Sequence, residues 1–130
     1  MRKLMLGVIG VGMLLAVAPV AAHHSFAAQF DGNKPVTIKG TIARMMWSNP
    51  HGQLFIDAKT PAGEVITWQI ETGGGTALFR RGWRRGDLPV GAEVTVNGYL
   101  AKDGSPNLSA TSVTLADGRA LFSGEPPTRE

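Results

Sequence analysis

An all-β barrel with one short helix is the fold this sequence predicts. Three observations point there. Apolar and polar residues alternate over five separate runs between Pro35 and Leu115. Clusters of Gly, Pro, Asn and Asp separate the runs. The chain has 130 residues and no cysteine, so an exported domain of this size has to hold itself by packing and sheet closure rather than by disulfides.

The elements follow in order. Residues 35–47 alternate, with Val36, Ile38, Gly40 and Ile42 on one face and Thr37, Lys39 and Thr41 on the other. Gly40 in mid-strand predicts a bend or bulge, which a closing barrel needs. Residues 48–52, "SNPHG", are turn chemistry. Residues 53–59 make a second strand, with Leu54, Ile56 and Ala58 on one face. Residues 60–63 turn the chain, and residues 64–71 make a third strand that gathers Ile66, Trp68 and Ile70. Residues 72–91 contain no strand. There Thr76 is placed to cap a short helix over residues 77–81, stopped by Gly82. "ETGGGT" lacks the ending of a phosphate-binding loop and reads as a flexible lead into the helix. Alternation returns over residues 92–101, with Val94, Val96, Gly98 and Leu100 against Thr95, Asn97 and Tyr99. Residues 108–115 make a fifth strand whose apolar face switches between Ala110 and Val113, which predicts a bulge. Asp117-Gly118 is a hairpin signal, and residues 119–122 can fold back as a short sixth strand. Three strands, a helix and two strands is the order of an OB-fold, a five-stranded Greek-key barrel with its helix between strands three and four. The runner-up is another small barrel or a sandwich.

Ahead of the barrel stands an export signal. Met1-Arg2-Lys3 is basic, residues 4–18 are apolar and uncharged, and Pro19 leads into small residues. The apolar run is shorter than the roughly 20 residues of a spanning helix and is followed by a cleavage-type sequence, so residues 1–22 read as a cleaved signal peptide of the general secretory route. The mature chain is then periplasmic or secreted, with no membrane span. Residues 23–34 form an amino-terminal arm, 35–123 the barrel and 124–130 a disordered tail. Removing Arg2 and Lys3 lowers the formal charge of +3 by two. A globally basic nucleic-acid binder is therefore not indicated.

Four blocks, "AHHSFAAQFD", "WSNPH", "RRGW" and "SVTLADGR", occur in this order along the mature chain. In them the chain resembles a family of small exported bacterial proteins of unknown function. The resemblance implies export and a small β-domain. It matches His23, His24 and His51 as positions and implies no role for them.

Chemistry has to be argued from the side chains. The chain has three histidines, all in terminal or turn segments. Cleavage after Ala22 makes His23 the amino terminus, where its amine and imidazole can chelate one metal ion and a second imidazole can complete a planar nitrogen set. Cleavage after Ala21 gives Ala22-His23-His24, where the amine, two deprotonated amides and the His24 ring can do the same. Both sets suit Cu(II), the strongest binder of the divalent series. Affinity should fall below the amine pKa of about 8. Copper at His23 and His24, with His51 as third ligand, is the specific expectation. The plain alternative is a polar arm and an ordinary turn histidine. Zinc is disfavoured by the missing cysteines and by the histidine spacing. Met45, Met46, Trp47 and His51 offer soft sulfur near an imidazole, but adjacent methionines on a strand point to opposite faces.

"FRRGWRRGD" is the one charge cluster. Arg80, Arg81, Arg84 and Arg85 surround Trp83, a pattern that suits an anionic lipid headgroup, a glycan or an acidic envelope protein; the compartment disfavours nucleic acid. The plain reading packs Trp83 on the barrel, with the arginines solvated or paired with Asp87 and Glu71. No catalytic triad order, nucleophile elbow or carboxylate pair stands out, so binding is expected rather than catalysis.

Overall fold

The structure is a computed structural model and describes residues 26–122. The expected signal peptide, His23, His24 and the expected tail lie outside the described residues. Residues 26–29 are helical. Strands β1 (Phe30–Met46), β2 (His51–Lys59) and β3 (Val65–Gly73) lead into helix α1 (Gly75–Arg80) and a 3-10 turn at Arg85–Asp87. Strands β4 (Glu93–Ala101), β5 (Asn107–Leu115) and β6 (Ala120–Phe122) follow.

The six strands make one mostly antiparallel sheet that closes in a ring. β1 pairs with both β2 and β4, β2 with β3, and β4 with β5. The ring closes through a short parallel seam, in which Gln69, Ile70 and Glu71 of β3 face Asn107, Leu108 and Ser109 of β5. Farther along β5, Ser112, Val113 and Thr114 pair with β6 instead. One edge of β5 is thus covered in turn by β3 and β6, which leaves little of it open to another chain.

The core is built from the faces that alternation predicts. Ile42, Leu54, Ile56, Ile70, Val96, Leu108 and Val113 are all buried inside the ring, and Leu78 and Trp83 close it from the helix side. Burying each large aliphatic side chain contributes about 1.5–3 kcal/mol. The switch of face in β5 is also present: Gly98 pairs with Ala110 and Asn97 with Ser112, leaving Thr111 as the bulged residue.

Four local expectations are corrected. β1 begins at Phe30 rather than at residue 35, because Phe30 is buried, pairs with Ala101 and packs against the Phe26 ring. Its register with β4 shifts between Phe30 and Pro35, which hides the period. The bulge of β1 lies between Ile42 and Arg44, not at Gly40. Gly40 serves close approach: a Cβ there would collide with the Asp57 carbonyl. Thr76 does not cap the helix. α1 starts at Gly75 with Gly74 as N-cap and no side-chain cap bond. The first amides are satisfied from the β1–β2 turn instead, Gly75 N–H by the Ser48 carbonyl at 3.0 Å and Thr76 N–H by Asn49 Oδ1 at 3.1 Å. The glycine run is therefore a crowded crossing rather than a flexible lead. A Cβ on Gly74 would lie 2.6 Å from Pro50 O, and one on Gly75 2.6 Å from Trp47 O.

Gly82 does stop the helix, at φ 92°. Its N–H donates to Phe79 O, and the Trp83 N–H donates to Leu78 O, each at 3.0 Å. That is a Schellman end, whose usual apolar contact is between the residues here occupied by Leu78 and Trp83. It turns Trp83 back into the core.

Candidate functional site

The β1–β2 turn, residues 47–50, stands between two groups of functional side chains. On one side is His51. The sequence places it on the turn, but it is the first residue of β2 and faces Gly73 of β3. A strand fixes the direction of its side chain, which a turn would not. The register places Glu71 diagonally across on the same face of the sheet. His51 Nδ1 lies 3.4 Å from Glu71 Oε1, and both side chains reach solvent.

Glu71 also lines a groove of about 420 Å³ with Gln53, Gln69, Asn107, Ala28 and Gln29. Gln69 Nε2 donates to Gln53 Oε1 at 3.2 Å, tying two amides across β2 and β3. The chain leading to β1 is pinned at this groove. Lys102 N–H donates to the Gln29 carbonyl at 2.9 Å, the Lys102 ammonium donates to the Ala27 carbonyl, and the Phe26 ring meets Tyr99 edge-on at 6.0 Å. Among the described residues, no three His, Asp or Glu side chains stand together as a ready metal cluster. Any metal held at His51 would need ligands from outside them. Met45 packs against the core and Met46 points out, so the two thioethers do not share a face.

On the other side of the turn is the arginine cluster. Trp83 is 9% exposed and belongs to the core, with the Arg119 guanidinium over its ring at 5.3 Å. It is not a stacking surface. The accessible ring is Phe79, 39% exposed, which lies 5.6 Å from the half-buried Trp47 ring. Arg84 lies over Phe79 at 5.1 Å and Arg85 over Trp47 at 5.9 Å. Arg84 Nη1 also donates to the carbonyls of Phe79 at 3.0 Å and Trp83 at 2.8 Å. Arg80 and Arg81, on and just after α1, are exposed.

The expected acidic partners are engaged elsewhere. Glu71 faces His51. Asp87 Oδ2 accepts the Arg84 backbone N–H at 2.8 Å, and its Oδ1 accepts Arg119 Nη1 at 3.1 Å. Those two bonds, the backbone one first, hold the Asp87 carboxyl below the usual carboxylate range. Arg119 reaches Asp117 as well, at 2.8 Å. Sequence spacing gives no hint of Arg119 here, because the β5–β6 hairpin brings it in from far along the chain.

A family profile described as a family of unknown function, DUF6152, matches residues 12–109. The chain belongs to this family. The DUF6152 match spans His23, His24, His51 and all four clustered arginines, and it stops before the "SVTLADGR" block. Comparison with curated proteins and with solved structures gives no match. Among the described residues of this DUF6152 chain, no helix is long and apolar enough to cross a membrane.

Proposed function

We infer that the protein is an exported OB-type barrel that binds copper through His23 and His24 of its amino-terminal arm, with His51 on the barrel as third ligand. The OB assignment is supported by the neighbour order of the ring and by a helix between β3 and β4. The observation that carries the copper reading is the His51–Glu71 pair. A carboxylate facing Nδ1 orients the ring and leaves Nε2 for a metal, the arrangement that metal-binding histidines use to fix their tautomer. Reach supports it too. Ala28 and Gln29 share a groove with Glu71. His24 stands four residues before Ala28 in the sequence, and four residues span at most about 14 Å.

The test is Cu(II) titration of the correctly processed chain with thermal melting. A site shared between arm and barrel exists only in the folded protein. Copper should then add about 2.7 kcal/mol of stability at a hundredfold excess over Kd. His51→Ala should abolish the thermal shift while leaving weaker copper binding on the arm. If His51→Ala changes neither affinity nor melting, the three-histidine site is wrong.

A second reading is favoured by the groove itself. Its three amides and one carboxylate, Gln53, Gln69, Asn107 and Glu71, offer the donors and acceptors that a neutral glycan needs. Glycan-induced chemical shifts at these residues, without copper, would support that reading over the metal.

A further inference from the structure

We propose that the Trp47–Phe79 corner of the barrel, with Arg80, Arg84 and Arg85, docks the protein on an anionic phospholipid surface. This is independent of the copper reading. Residues 74–92 carry four arginines and one acidic residue, Asp87. Asp87 is already matched by the Arg84 amide and by Arg119 from another element. Arg84 also attracts Asp87 through its charge, while Arg80 and Arg85 make no salt bridge among the described residues. The local field is therefore positive, although the mature chain as a whole is nearly neutral.

Three features favour a lipid surface over a soluble anion. First, the positive charges lie on apolar rings. Arg84 sits over Phe79 and Arg85 over Trp47, so charge and hydrophobic area are presented together. Aromatic rings flanked by cations suit the headgroup region, where one part of the surface is wet and the other apolar. Second, the guanidiniums of Arg84 and Arg85 are held over different rings. Arg84 spends Nη1 on two main-chain carbonyls, and Arg85 lies over the other ring. A single phosphate would be gripped by forked donors aimed at one point, whereas spread charges suit a sheet of headgroups. Third, Phe79 is 39% exposed and supplies an apolar side chain that can enter the headgroup layer. Attraction to an anionic leaflet is worth roughly fivefold in affinity per arginine, and it falls off within a Debye length.

Vesicle co-sedimentation of the mature chain tests this. Phosphatidylcholine vesicles containing phosphatidylglycerol should bind it, pure phosphatidylcholine should not, and high salt should release it. Arg80→Ala with Arg85→Ala should weaken binding about 25-fold with an unchanged melting temperature, since neither side chain reaches the core. Phe79→Ser should weaken it further at constant charge. Lys39→Ala with Lys59→Ala supplies the control, because both lysines are exposed and Lys59 ends β2 at the end opposite His51. Equal loss in the lysine pair would reduce the effect to overall charge and overturn the proposal. So would equal binding to both vesicle types, no binding to either, or competition by inorganic phosphate as effective as that of the vesicles.

Discussion

Trp83→Ala should destabilise the barrel by about 4 kcal/mol, as large-to-small replacements of buried aromatics do. The ring is buried in the core cluster and is brought there by the Schellman end of α1, so truncation opens a cavity beside Leu78. It also removes the ring beneath Arg119. In a domain of roughly 100 residues the melting temperature should fall by about 20 °C. Arg85→Ala, a few positions away, should change stability by about 0.5 kcal/mol or less. Thermal denaturation of the two variants side by side separates the residue that builds the loop from the one it displays. If both melt like the parent, Trp83 is not in the core and the corner described above is misplaced.

Gly98→Ala should cost about 3 kcal/mol, although it adds only one methyl group. The position lies opposite the β5 bulge, and a Cβ there would run into the Ser109 carbonyl, which is main chain and cannot swing aside. Overpacking of this kind forces backbone shifts rather than a rotamer change. Gly86→Ala is the contrast: nothing lies within 4 Å of a Cβ at that position. Chemical denaturation should show a large loss for the first and almost none for the second. If the Gly98→Ala midpoint is unchanged, β4 and β5 are farther apart at the bulge than described.

Most of the fold was legible because strand alternation is a local property. The burial of Ile56, Val96 and Val113 follows from period two alone, and the β5 bulge follows from where that period slips. The start of β1 was hidden because its register with β4 shifts before Pro35, so no simple alternation marks Phe30. The helix cap is hidden for a different reason. Thr76 is an ordinary capping residue in an ordinary position, but Gly74 and Gly75 let the β1–β2 turn come close enough to satisfy the first amides from outside. Propensity yields there to a contact made across a long stretch of chain. The candidate sites divide along the same line. His51 and the arginines could be named from sequence. Their partners, Glu71 across the β2–β3 ladder and Trp47 beside Phe79, depend on register and on the path of α1.

The parallel seam between β3 and β5 has a consequence for how the barrel breathes. It rests on three residue pairs, while β2–β3 runs the length of both strands. Openings below the cost of global unfolding concentrate where few main-chain bonds have to break. The amides of Gln69, which donates to the Pro106 carbonyl, and of Glu71, two residues on and pointing the same way, should therefore exchange with solvent sooner than the β3 amides that point to β2. The groove straddles that seam, with Gln69 and Glu71 on one bank and Asn107 and Leu108 on the other. A ligand spanning it would act as a clasp, slowing exchange on both banks and coupling occupancy of the groove to the rigidity of the ring.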